Sequence, residues 1–223
     1  IIMDGNRRWA KEHKLAILKG HEYAAKNVLE KIVEYAAKKG VKYLTFWAFS
    51  TENWQRNKQE VEGLLNILRW GLKEKVKTFI KKGVRLKVIG DLTKFPQDIQ
   101  KGIQEAINQT KNGKNITAVL AVNYGGRDEI VRAIEKYQGI KESKNQSVKL
   151  TLKEFSQYLD TKDIPDPDLI IRTGGEKRLS GFLLWQSEYS ELYFTDTLWP
   201  DFKEKDLDLA IEEFTSRQRR FGK

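Results

Sequence analysis

The feature that most constrains this chain is a repeated switch between two hydrophobic periods. Runs suited to buried strands occur at 43–49 (YLTFWAF) and 116–122 (ITAVLAV), and further strand-like runs at 84–90 (VRLKVIG) and 168–172 (DLIIR). Between them, apolar residues recur at helical spacing. Val28, Leu29, Ile32, Val33 and Ala36 form one such set, with Gly40 as its stop. Val61, Leu64, Leu65, Leu68, Leu72, Val76, Phe79 and Ile80 trace one face of a single long helix. Ile99, Ile103 and Ile107, then Ile130 to Ile134, then Leu207, Ala210, Ile211 and Phe214 mark three more. Strands alternating with helices predict βαβ units, hence an α/β fold with a central, mostly parallel β-sheet flanked by helices. The polar stretch 139–150 reads as an exposed connection, too short to divide the chain. With no internal repeat, the 223 residues are expected to form a single domain.

An open α/β sheet binds ligands beyond the carboxyl ends of its strands. Functional residues are therefore expected after Met3, Phe49, Val122 and Ile171. Composition narrows the chemistry. The chain has no cysteine, so disulfides and thiolate metal sites are excluded. It has two histidines, His13 and His21, which argues against zinc. Any metal must be held mainly by oxygen. The net charge of +10 fits a solvated basic surface equally with an anionic partner: nucleic acid, a phosphorylated small molecule or an acidic membrane. No apolar run is long enough to span a bilayer, and no signal peptide is visible. A cytoplasmic location is compatible with this. The opening Ile1-Ile2-Met3 is already strand-like, so a short preceding segment is expected.

Four segments carry candidate chemistry. Asp4-Gly5-Asn6-Arg7-Arg8-Trp9 follows the first strand-like residues. Gly5 permits close approach of backbone amides to phosphate oxygens, and Arg7 and Arg8 offer forked donors. Asp4 would repel a bare phosphate, which points to a bridging Mg²⁺. Ser50 to Arg56, which includes Glu52, Asn53 and Trp54, follows the second strand; its alternative reading is a helix N-cap. Arg172 to Ser180 combines glycines with Lys177 and Arg178 and is neither a Walker A sequence nor a dinucleotide fingerprint. Glu191 lies in an aromatic strand-like segment, Tyr189 to Phe194, where a buried carboxylate needs a partner. Taken singly, each segment is equally a turn, a cap, a basic loop or a surface strand.

Their order and wording say more. DGNRRWA, FSTENW, RTGGEKRLSGFLLWQ and YSELYF, followed by LWPDF, resemble the cis-prenyltransferase family of the undecaprenyl diphosphate synthase type, over residues 1–223. The resemblance implies a homodimeric, Mg²⁺-dependent enzyme that condenses isopentenyl diphosphate onto an allylic diphosphate such as farnesyl diphosphate. The product would be a long Z-polyprenyl diphosphate, a lipid carrier for cell-wall glycan. It implies Asp4 and Asn53 as catalytic residues, and Asp4 and Glu191 as metal ligands. Gly5, Asn6, Arg7, Arg8, Trp9, His21 and Arg56 would hold the allylic diphosphate. Ser50, Glu52, Arg172, Arg178 and Ser180 would hold isopentenyl diphosphate. The helix from Val61 to Ile80 and strand 43–49 would line an apolar tunnel, with only one of Phe46 and Trp47 facing it. Peripheral contact with the inner face of the membrane is also implied.

The chain departs from the family pattern in places. Ile17 stands where many bacterial members have arginine, Ala24 and Asn57 replace a common glycine and proline, and Gly181 replaces an asparagine. One extra residue falls between His21 and Gly40. Arg7 occupies a frequent glycine position and is expected to supply the cation that Ile17 does not. Two other readings are a non-catalytic partner subunit of the same fold and a nucleic-acid-binding protein. The first conflicts with the presence of Asp4, Arg8, Asn53, Arg172, Arg178 and Glu191. No recognised nucleic-acid-binding motif supports the second.

Overall fold

The structure, a computed structural model, describes residues 1–144 and 150–217. Its centre is a parallel sheet. Tyr43–Ser50 (β1), Val84–Ile89 (β2) and Ile116–Tyr124 (β3) pair in the order β1-β3-β2. Leu169–Arg172 (β4) pairs in parallel with Glu191–Phe194 (β5). The first two residues join the two sets. The N-terminal amine of Ile1 donates to Thr45 O and the amide of Trp47 donates to Ile1 O. On the other side, the amide of Ile2 donates to Ile171 O, giving a parallel bridge to Arg172. The strand order is thus β2-β3-β1-(1–2)-β4-β5. β3 is buried along both faces, as befits a central parallel strand covered by helices on either side.

The helices are Asn6–Glu12 (α1), Leu18–Asn27 (α2), Leu29–Lys38 (α3), Lys58–Glu74 (α4), Val76–Lys81 (α5), Gln97–Thr110 (α6), Gly126–Lys144 (α7), Leu152–Ser156 (α8) and Glu204–Ser216 (α9). On one face of the sheet, Val84 and Leu86 of β2 and Ala118 of β3 pack with Val33 of α3, Phe79 of α5 and Ala106 of α6. Leu65 of α4 and Ile99 of α6 close the same face around Phe49 and Val122. On the other face, Val119, Ala121 and Tyr124 meet Phe182 and Leu183. Gly40 has φ +83° and ends α3 as expected.

Two expectations change. The long helix from Val61 to Ile80 is two helices, interrupted at Lys75. Periodicity does not register this break, because the apolar stripe continues across it. The connection placed at 139–150 is helical up to Lys144, and residues 145–149 lie outside the described residues. A further break, at Val28, separates α2 from α3 and lies in the interval that holds the extra residue.

A buried polar cluster fixes the loops behind the sheet. Glu129, 1 % exposed, accepts from Tyr124 Oη at 2.6 Å, from Gln186 Nε2 at 2.9 Å and from the amide of Asp160 at 3.0 Å. Burial pushes its carboxyl above the usual range, although the donors around it act the other way. Gln186 also donates to Thr161, which ties down the end of the loop carrying Ser180.

α1 and α2 meet so closely that a Cβ on Gly20 would lie 2.0 Å from the carbonyl oxygen of Asn6. Gly20→Ala is therefore expected to destabilise the fold by about 1–3 kcal/mol, the usual cost of overpacking. Urea unfolding of the variant checks this; an unchanged midpoint would contradict the contact.

Candidate active site

The ends of the parallel strands bring three of the four sequence segments together. Asp4 follows the Ile2 rung, and Arg172 ends β4 beside it. Arg172 Nη2 donates to Asp4 Oδ2 at 2.9 Å, and the amide of Gly5 donates to Asp4 Oδ1 at 2.7 Å. Arg172 Nη1 donates to Ser180 Oγ at 3.0 Å and to the carbonyl oxygen of Arg178. Its side chain is 6 % exposed, and Nε is buried without a hydrogen-bond partner. Arg8 reaches from α1 to the carbonyl oxygen of Gly174 at 2.6 Å and lies 3.6 Å from Asp4. Gly174 has φ +82°, which favours glycine, and a Cβ there would displace the Arg8 guanidinium 2.4 Å away.

Across the mouth, Ser50 to Arg56 forms a short 3₁₀ turn, Thr51–Gln55, after β1. The amide of Ser50 donates to Asn53 Oδ1 at 3.1 Å, and Trp54 Nε1 donates to Asn123 Oδ1 at 2.8 Å. Arg56 donates to the buried carboxylate of Glu60 at 2.8 Å, and Arg7 lies 3.9 Å from the same carboxylate. Glu60 thus gathers two cations at the rim, one of them four residues before it on the chain. Asn57, in place of the common proline, caps α4 by accepting from the amide of Glu60 at 2.8 Å. Gly181 has φ +94°, a backbone region that favours glycine.

His21 comes from α2. It is half-buried, and its Nε2 is buried without a hydrogen-bond partner. Burial first, then the charges of Arg56 and Arg7, lower its pKa from the ordinary 6.5 to about 4. The ring is neutral at physiological pH and borders the cavity.

These groups open into a cavity of about 480 Å³. Asp4, Asn6, His21, Ser50, Glu52, Asn53, Arg56, Arg172 and Ser180 all border it. The rest of its wall is apolar apart from Lys75. Leu64, Leu65, Leu68 and Leu72 of α4, with Val76 and Phe79 of α5, face Leu86, Leu120 and Val122 of the sheet. The pairing of β1 with β3 skips Ala48, a bulge that leaves this small residue exposed on the cavity wall. Trp47 borders the cavity while its indole stacks on Phe182; Phe46 does not border it and packs near Trp199.

Other expected site residues lie elsewhere. Gly5, Arg7, Arg8 and Arg178 surround the mouth without lining the cavity. Arg178 is exposed and pairs with Glu176. Trp9 is turned into the protein, stacked on His13 and Tyr23, with its indole N–H on Asp201 at 2.9 Å. Ile17 is 43 % exposed and does not line the cavity. Glu191 pairs with Arg217 at 2.8 Å and sits at the start of β5, opposite Leu169, whereas Asp4 bonds the far end of β4. Within one chain, Asp4 and Glu191 are not neighbours. No group of three or more acidic or histidine side chains suited to a metal occurs among the described residues. The donor set fits a Mg²⁺ shared between one carboxylate, Asp4, and the oxygens of a bound diphosphate, rather than an all-protein cage. The contributions of Lys75, Trp70 and Glu60 escape sequence reasoning. Only Glu60 leaves a trace, four residues after Arg56 at helical ion-pair spacing.

A polar mouth with arginines, opening into an apolar pocket on a parallel sheet, suits an anionic head with a hydrocarbon tail. Comparison with known proteins agrees. Residues 2–222 match the prenyltransferase family model described as "Putative undecaprenyl diphosphate synthase". Isoprenyl transferases from Fusobacterium nucleatum and Thermotoga maritima are 50 % and 47 % identical, each over 100 % of this chain and 94 % of their own. Lavandulyl diphosphate synthase from Lavandula x intermedia, solved in complex with dimethylallyl diphosphate, superposes with a TM-score of 0.95 at 37 % identity, covering 100 % of this chain and 96 % of that one. A "probable undecaprenyl diphosphate synthase" from Campylobacter jejuni gives 0.81 at 36 %, covering 90 % and 92 %. The chain belongs to the undecaprenyl diphosphate synthase family of prenyltransferases, which act on isoprenoid diphosphates.

The lowered pKa of His21 makes a measurable prediction. Between pH 6.5 and about 4, the unfolded chain takes up a proton that the folded protein refuses. The folded state therefore loses stability as pH falls through that window, and His21 contributes no pH dependence above it. An NMR titration should find His21 neutral down to about pH 4, and His21→Gln should flatten stability across the window. A midpoint near 6.5 would contradict the buried placement.

Proposed function

We propose that the protein is a Mg²⁺-dependent cis-prenyltransferase that adds isopentenyl diphosphate to an allylic diphosphate, with farnesyl diphosphate as starter and a long-chain polyprenyl diphosphate such as undecaprenyl diphosphate as product. The observation that carries this reading is a cavity with Asp4, His21, Arg56 and Arg172 at its mouth and aliphatic walls beyond. The Lavandula relative, solved in complex with dimethylallyl diphosphate, supports a prenyl diphosphate as the ligand.

In this reading the allylic diphosphate lies against Gly5, Asn6, Arg7, Arg8, His21 and Arg56, with its hydrocarbon pointing down the wall of α4. Isopentenyl diphosphate lies against Arg172, Arg178 and Ser180, with Ser50 and Glu52 opposite. Magnesium, when bound through Asp4, supplies Lewis-acid charge to the departing diphosphate. Breaking the allylic C–O bond puts negative charge on that leaving group and positive charge on carbon. The arginines and the neutral His21 stabilise the first where it develops. The apolar wall excludes water from the second. The double bond of isopentenyl diphosphate then attacks the cation, a C–C bond forms, and a proton leaves from the adjacent carbon to Asp4, Asn53 or the diphosphate. Trp9 serves this site by anchoring α1 to Asp201 rather than by touching diphosphate.

We further read the enzyme as a homodimer, with Glu191 acting toward a neighbouring subunit's site. Exposed Val131 and Leu152, at 54 % and 76 %, are consistent with a covered surface. No described helix is long and apolar enough to cross a membrane. Contact with the lipid-borne product would be peripheral, at the inner face of the membrane in the cytoplasm.

Incubation with farnesyl diphosphate, labelled isopentenyl diphosphate and Mg²⁺ should yield long polyprenyl chains, and EDTA should abolish them. No product from any allylic starter would overturn the reading. Asp4→Ala is expected to lower turnover by on the order of 10²–10³, the scale of a lost electrostatic contact in the transition state. Arg7→Gly should raise KM for the allylic substrate; an unchanged KM would remove Arg7 from the binding set.

A further inference from the structure

The apolar part of the cavity has one charged residue in its wall. α4 begins beside the mouth, after Arg56, and runs for 17 residues. At 1.5 Å per residue its far end lies about 25 Å from the mouth. There the helix breaks, and the residue at the break, Lys75, lines the cavity. Its neighbours in the wall are Ala25, Leu29, Trp70, Gly71, Leu72 and Val76.

Lys75 is held firmly. Its Nζ donates to Glu30 Oε2 at 2.6 Å and to the carbonyl oxygen of Lys26 at 3.3 Å, and lies 5.4 Å from the centre of the Trp70 ring. Lys26 flanks the same ring at 5.5 Å. The second oxygen of Glu30 accepts from Lys82 at 2.7 Å, and Lys82 also pairs with Glu34. The ammonium therefore closes the seam between α2–α3 and α4–α5 where both helical pairs are broken, at Val28 and at Lys75 itself. The side chains of Lys75 and Glu30 are 21 % and 17 % exposed, so this is a partly buried pair rather than a free surface contact.

We propose that Lys75 is the length-determining floor of the cavity, the point at which hydrocarbon ceases to be accommodated. This rests on the reading that the cavity holds the growing chain. A methyl-rich tip that reaches Lys75 must either strip the ammonium of its water or pull it from Glu30 and Trp70. Both oppose further burial, because a charge in contact with hydrocarbon is stable only while paired. Before that point each added isoprene unit gains burial against leucines; beyond it the gain is offset. Elongation slows there and release competes.

Lys75→Met keeps the length of the side chain and removes the charge. With farnesyl and isopentenyl diphosphates, this variant should make chains at least one isoprene unit longer than any the unaltered enzyme makes, with KM for both substrates unchanged. Circular dichroism checks its fold, and Lys75→Gln carries the same test if the Met variant does not fold. Glu30→Gln leaves the ammonium in place and should not lengthen the product. Lys77→Met, on an exposed neighbour outside the wall, should leave the distribution as it is. A wild-type length distribution from both Lys75 variants would overturn the proposal. So would equal lengthening by Glu30→Gln, which would assign the limit to closure of the seam rather than to the charge. If the unaltered protein makes no prenyl product at all, the underlying reading fails instead.

Discussion

The ion pair between Asp4 and Arg172 is the contact on which the rest of the site depends. It joins the residue that leaves the Ile2 rung to the last residue of β4. Three loops are fixed through it. The carbonyl oxygen of Asp4 accepts from Thr173 Oγ1 at 2.7 Å and from the amide of Trp199 at 2.9 Å, while its carboxylate orients Gly5. The other arm of Arg172 holds the backbone at Arg178 and the hydroxyl of Ser180. A guanidinium this buried is tolerated because a carboxylate faces it; removal of the carboxylate leaves an uncompensated charge, which is strongly destabilising. The same carboxylate borders the cavity and would hold a Mg²⁺ beside a diphosphate. The group that stabilises the mouth is therefore one that a ligand would meet there.

The cavity combines two environments that one layer of structure could not provide. Its polar end is made by loops, which can turn glycines, hydroxyls and arginines toward one point. Its apolar end is made by the stripe of α4 and α5 facing the sheet, which requires regular helical spacing. The bulge at Ala48 lies where the two meet, and it leaves a methyl group where strict alternation of bulky residues would narrow the passage. The break at Lys75 interrupts the stripe and brings the one charge into it among the described residues. An amphiphile with a diphosphate head and a prenyl tail matches this gradient along its whole length.

Much of this was legible in the sequence, for definite reasons. The strands were legible because β1 and β3 are nearly continuous apolar runs and β2 alternates apolar with basic residues, and the mouth because parallel strands place their following residues on one edge. Asp4, Ser50 and Arg172 could thus be expected together though far apart in the chain. What escaped depends on tertiary contacts that periodicity does not encode. Lys75 fits the solvent-facing reading of any helical lysine, and only Glu30 and Trp70 draw it to the wall. Trp9 sits within the DGNRRW segment, yet a preference for aromatic packing on His13 and Tyr23 turns it inward. Glu191 was legible as a carboxylate in need of a partner, but the register of β5 against β4 places it at the opposite end of the strands from Asp4 and beside Arg217. Asn57 serves as a helix cap and Gly181 occupies a left-handed turn.

The central claim is that the Asp4–Arg172 pair organises a diphosphate-binding mouth. The most direct test is calorimetric titration of inorganic diphosphate, with Mg²⁺ present, into the unaltered protein and into Arg172→Met, with Lys77→Met as a control. The account predicts binding to the unaltered and control proteins and its loss in Arg172→Met. Equal affinity in all three would contradict it.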